Sequence, residues 1–148
     1  MNTEEMNIRS VDVIVSEIRM LCGKFQKCVT EVERREEQLI VKYQLEEVCK
    51  EGRRYSDILR PALLITLLDA YEITRDEAIL QEVLDVVSRN LGQLKVSADA
   101  VKLLAYCWYY VEEEECVVRA REMLEELKRR GKDVAEAEKV LEELTENF

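Results

Sequence analysis

A chain of 148 residues is about one domain long and can bury a sizeable core. Apolar residues at 47% argue against global disorder, and four glycines with one proline argue against a turn-rich β architecture. The net charge, 22 basic against 32 acidic side chains or −10, disfavours sequence-independent binding to phosphate backbones and suits a basic protein partner.

From residue 5 to residue 51 there is no proline and one glycine, Gly23. Val11, Ile18, Phe25, Val32 and Leu39 recur every seven residues, and Ile14, Leu21 and Cys28 stand three places later in the repeat. Arg35 and Lys42 then break the second position. Such a pattern predicts one long helix, or two helices broken near Gly23, with Ser10 as the opening cap. Its stripe either packs on the rest of the domain or, through Val11, Ile18, Phe25, Val32 and Leu39, forms a coiled-coil seam between two copies.

The clearest break is Glu51-Gly52-Arg53-Arg54-Tyr55-Ser56-Asp57. Gly52 is expected to end the preceding helix in the left-handed conformation, and Ser56 or Asp57 to cap the next, with Pro61 in its first turn. From Ile58 to Ile73 apolar residues occupy nearly every face, so this helix must be central. Thr74-Arg75-Asp76-Glu77 has the spacing of a capping box and starts an amphipathic helix that closes near Gly92.

The same order then repeats. Leu63 to Leu68 is echoed 40 residues on by Leu103 to Trp108, and Gln81 to Arg89 by Arg121 to Arg129. Ser97 is the expected cap of the second apolar helix, which runs from Ala98 to Val111. Lys128-Arg129-Arg130-Gly131 carries the positive charge and glycine of a helix stop, and Asp133 to Glu136 starts a last helix with a narrow stripe. In outline the echo resembles the helix pairs of TPR and HEAT scaffolds. It exceeds the 34 residues of a TPR, lacks that repeat's signature glycine and proline, and has fewer than three copies, so no family follows.

These elements predict an all-α bundle of five to six helices, one domain over 1–148. It comprises a long N-terminal helical segment (1–51) and two helical hairpins at a 40-residue spacing (within 56–148). Residues 1–54 carry 10 basic and 11 acidic side chains and residues 55–148 carry 12 and 21, so the acidity is expected to belong to the hairpins.

Catalytic chemistry has little to work with. The chain has no histidine, which removes the commonest general base and metal ligand and every Ser/Cys-His pair. Cys22, Cys28, Cys49, Cys107 and Cys116 form no Cys-x-x-Cys, and no two glycines are close enough for a phosphate loop. Neither a cofactor nor a metal is expected, and the cysteines read as buried free thiols. The acidic opening, Met1-Asn2-Thr3-Glu4-Glu5, has no apolar core, so no signal peptide is expected. No apolar run approaches the roughly 20 residues of a membrane span, and the expected location is the cytoplasm.

Two features are candidate sites. Tyr106, Trp108, Tyr109 and Tyr110 form the densest aromatic stretch, and helical geometry prevents all four from entering one core; they are the candidate partner-binding residues. Arg53, Arg54 and Arg60 flank a helix start and are the candidate anion site. The expected function is a non-enzymatic protein–protein interaction module or small structural subunit of a larger assembly, with a homodimer through residues 11–39 as one form of it. The alternative is a small subunit of a nucleoprotein complex contacting RNA or DNA through Arg53, Arg54 and Arg60.

Overall fold

The structure, a computed structural model, describes residues 3–31 and 35–146, with side chains from Val11 onward. Among the described residues it has seven α-helices and no strand. The helices are α1 (Thr3–Thr30), α2 (Arg35–Arg53), α3 (Pro61–Thr74), α4 (Glu77–Arg89), α5 (Ala98–Val111), α6 (Glu114–Arg129) and α7 (Ala135–Leu144), with 3₁₀ turns at Ser56–Ile58 and Leu91–Gln93. The all-α expectation holds, and the count exceeds the expected five to six because the N-terminal segment is two helices.

That segment is not broken at Gly23. Gly23 lies inside α1, exposed and with no atom within 4 Å of where a Cβ would sit, so its cost to the helix is only entropic. Helix α1 also starts at Thr3, ahead of the cap expected at Ser10. It ends at Thr30, where the Gln38 side-chain amide donates to the Cys28 carbonyl at 3.1 Å and satisfies an acceptor the helix end leaves open.

The chain divides into two compact units, Met1–Val86 and Val87–Phe148. The break expected at 51–56 falls inside the first unit, and the division itself lies within α4. In the first unit α1, α2 and α3 pack against one another in all three pairings. Gly52 sits where α2 meets α1 and α3. It is a buried residue of α2, and an added Cβ would meet Ile14 Cγ2 at 3.3 Å, Leu67 Cδ2 at 3.4 Å and Leu63 Cδ1 at 3.5 Å. It is therefore a packing glycine inside the helix and not the left-handed terminator expected from the sequence, since among the described glycines only Gly131 has a positive φ. Helix α3 is as central as its composition implied, with Leu63, Leu64, Thr66, Leu67, Leu68 and Ala70 buried.

In the second unit α5 packs against α6 and α7, and α6 against α7. The Ser97 hydroxyl accepts from the Ala100 N–H at 3.0 Å, as expected of a cap. Gly131, at φ +72°, ends α6, with the Lys132 N–H bonded to the Leu127 carbonyl at 3.0 Å. Ion pairs Lys128–Glu138 at 2.8 Å and Lys102–Glu136 at 3.5 Å tie α7 to α6 and α5.

The internal echo is real in structure, but its spacing is 37 and not 40. Helix α3 begins at 61 and α5 at 98; α4 begins at 77 and α6 at 114; the left-handed residues closing α3 and α5 are Arg75 and Glu112. Burial repeats at the same offset: Leu63, Leu64, Leu67 and Leu68 match Ala100, Val101, Leu104 and Ala105, and Ile79, Leu80, Val83 and Val86 match Cys116, Val117, Ala120 and Met123. A shift of three residues keeps a helical stripe within about one turn of register, so an apolar pattern matches nearly as well at 40 as at 37. The caps resolve the difference. Helix α4 starts after Asp76, whose carboxylate accepts from the Ala78 N–H at 3.0 Å, while Thr74 still belongs to α3. The copies also pack differently: α5 lies against its own partner α6, whereas the closest neighbours of α3 are α1 and α2.

Candidate functional site

Helix α5 buries Ala100, Val101, Leu103, Leu104, Ala105 and Cys107 and leaves its aromatic residues toward the outside. Tyr106, Trp108 and Tyr110 are half-buried, and Tyr109 is 58% exposed. None of the four is a core residue. Tyr109 and Tyr110 meet edge to face, with centroids 5.1 Å apart and planes at 78°.

The helix stops on Glu112, which adopts the left-handed backbone (φ 53°) and donates its N–H to the Trp108 carbonyl at 2.7 Å. Glu113 then caps α6 without a side-chain bond, and Glu114 is its first residue. This tight corner sets Glu112 and Glu114 beside Trp108 and Tyr109. The end of α7 closes the other side with Glu143 and Leu144, followed by Glu146. Together these residues line a trough of about 800 Å³ with an aromatic and leucine wall and four carboxylates.

Elsewhere on the same unit several acids have cations beside them. Glu122 pairs with Arg119, Glu126 with Arg129 and Arg130, Glu136 with Lys102 and Glu138 with Lys128. No ion pair engages Glu112, Glu114, Glu143 or Glu146 among the described residues. The trough thus sets Trp108, Tyr109 and Leu144 among four carboxylates that no ion pair compensates.

Comparison with known protein families, curated proteins and solved structures finds no match to this chain. The geometry stands on its own.

Of the four aromatic candidates, the trough takes Trp108 and Tyr109, while Tyr106 and Tyr110 are not in its lining. Glu143, Leu144 and Glu146 had no signal of their own, because a terminal helix with a narrow stripe reads as a solvent-facing cap. Only the packing of α7 on α5 brings them to the aromatics.

The arginine candidates do not form one open site. Arg60 caps α3 and its guanidinium is engaged by the Asp12 carboxylate of α1. Arg53 is partly buried in the last turn of α2, with an Nε that has no hydrogen-bond partner, and only Arg54 is exposed. The proposed seam is also divided. Val11 and Ile18 are fully buried within the chain, Phe25 is half-buried, Leu39 is 68% exposed, and Val32 lies outside the described residues.

Cys28, Cys49, Cys107 and Cys116 are buried core thiols, and Cys22 is half-buried. Burial, with Asp69 nearby, pushes Cys22 up to about 11; burial, then Cys22, Asp76 and Glu46, raises Cys49 to about 12; burial, then Glu113 and Glu115, raises Cys116 to about 11. Burial, then Cys116 and Glu113, pushes Cys107 higher still. A nucleophilic cysteine needs the opposite shift. Among the described residues no group of three or more Cys, Asp or Glu is arranged to hold a metal ion, and no helix is long and apolar enough to cross a membrane.

Proposed function

We propose that this chain is a non-enzymatic interaction module, a small structural subunit of a larger assembly, and that its second unit receives a basic segment of a partner protein. The observation that carries this reading is the unpaired carboxylate rim over Trp108 and Tyr109. Lysine and arginine combine an apolar stem with a cationic head, so they can cover aromatic surface while pairing with the rim. A cation over an aromatic face contributes about 0.5–1 kcal/mol when exposed and about 2 kcal/mol when desolvated. Exposed ion pairs add only about 0.2–1 kcal/mol each, so the aromatics anchor and the glutamates steer. The absence of histidine and the raised thiols support a non-catalytic role. Free thiols also fit a reducing compartment such as the cytoplasm.

Isothermal titration with an amphipathic Lys/Arg-rich peptide tests the proposal. Tyr109→Ala and Trp108→Ala are each expected to weaken binding about tenfold or more, as truncated interface anchors do. Glu143→Gln with Glu146→Gln is expected to flatten the salt dependence. Binding that ignores all four substitutions contradicts the proposal.

A further inference from the structure

The first unit carries a second, unrelated surface. Two adjoining hollows open along it. One, of about 550 Å³, lies between α1 and α3 and is lined by Cys22, Phe25 and Val29 with Asp69 and Glu72 at its α3 edge. The other, of about 340 Å³, lies over α2 and is lined by Leu39 with Arg35 and Lys42. Phe25 and Ile73 belong to both and form the ridge between them. Val29 is 51% exposed and Leu39 is 68% exposed, and Tyr43, one turn beyond Leu39, is 64% exposed. A row of large apolar side chains is thus left in water, flanked by acids in one hollow and by bases in the other.

We propose that a second copy of this chain covers this surface, in a two-fold dimer whose axis passes near the Phe25–Ile73 ridge. Opposite charge on either side of an apolar ridge is self-complementary under a two-fold axis along that ridge. The rotation lays the acidic hollow of each copy on the basic hollow of the other, so Asp69 and Glu72 face Arg35 and Lys42 twice over, and Val29 faces Leu39. A foreign partner would need the same alternation by coincidence, whereas a second copy has it by construction. Glu72 already meets Arg75 at 3.4 Å on the surface, an exposed pair that the contact need not break. Two of the five heptad positions, Phe25 and Leu39, take part, while Val11 and Ile18 are withdrawn into the unit's own core. The contact is thus between hollows of a three-helix unit and is not a continuous coiled coil. It involves no residue of the second unit, so it stands or falls apart from the peptide-binding reading.

Sedimentation velocity of the full chain over a concentration series is the test. The unaltered chain is expected to dimerise reversibly. Leu39→Asp, at an exposed position the fold does not need, is expected to raise the dissociation constant about tenfold or more, as loss of an interface anchor does. Lys42→Glu alone and Asp69→Lys alone are each expected to weaken the dimer, and the two together in one chain to restore most of it, because each copy then presents the reversed pair to the other. Circular dichroism confirms that each variant is folded before it is compared. A monomer at every concentration up to hundreds of micromolar overturns the proposal. So does a dimer indifferent to Leu39→Asp, or a double charge reversal no better than the single ones.

Discussion

Leu59, Arg75 and Glu112 hold a left-handed backbone that glycine adopts more easily. For a residue with a Cβ this conformation costs about 1–2 kcal/mol. Arg75→Gly is therefore expected to raise stability by about 0.5–1 kcal/mol, read from the midpoint of urea unfolding. Part of the gain is offset by losing the contact of Arg75 with the Tyr71 ring, 5.6 Å from its centroid. Glu112→Gly is expected to stabilise the fold in the same way while weakening basic-peptide binding, because Glu112 both closes α5 and belongs to the acidic rim. A stabilised variant that binds as well as the original contradicts that double role. The thiols make a further prediction. In the unfolded chain Cys22, Cys49, Cys107 and Cys116 ionise near 9, while in the fold they hold their protons to about 11 or beyond. The folded state then carries more protons than the unfolded one, so stability falls as pH rises through 9 toward 11. Thermal unfolding followed from pH 8 to pH 10.5 checks this, and serine at Cys107 and Cys49 should flatten the alkaline part of the curve.

At the scale of elements, helix identity was legible and helix boundaries were less so. The apolar run of α3 and the stripe of α4 could be read from periodicity alone, and Ser97 and Gly131 act as their residue types imply. Gly52 was misread because a glycine at a helix end and a glycine at a helix crossing look alike along a chain; only Ile14, Leu63 and Leu67 around it distinguish them. Gly52→Ala should be close to neutral, since better helix propensity offsets a 3.3 Å approach to Ile14. Gly52→Leu should cost about 1–3 kcal/mol by overpacking α2 against α1 and α3. Equal stability of the two variants would show that α2 does not press there. The 40-residue echo erred by less than one helical turn, for a reason internal to helices: stripes tolerate a slip of three, whereas caps do not.

For the whole molecule, what matters is where charge is unpaired and not how much there is. Cut at the observed division, the first unit carries 12 basic and 18 acidic side chains and the second 10 and 14, or −6 and −4. The acidity assigned to the hairpin region is thus shared by both units. Net charge could not have located the trough, because Glu122, Glu126, Glu136 and Glu138, which have cations beside them, are as acidic as Glu112, Glu114, Glu143 and Glu146, which line it. The aromatic half of the site was visible in the sequence as Trp108 and Tyr109. The acidic half depends on α7 returning to α5, which no local pattern encodes.

Trp108 is the sole tryptophan of the chain and lies in the trough, so its fluorescence reports on that surface alone. The most direct measurement titrates the protein with a Lys/Arg-rich amphipathic peptide, an acidic peptide of matched length and a single-stranded RNA, each at low and at physiological salt. A saturable change in Trp108 emission with the basic peptide only, weakened by salt and lost in Tyr109→Ala, is the predicted result. No change with the basic peptide at low salt, or an equal change with the acidic peptide or the RNA, contradicts it.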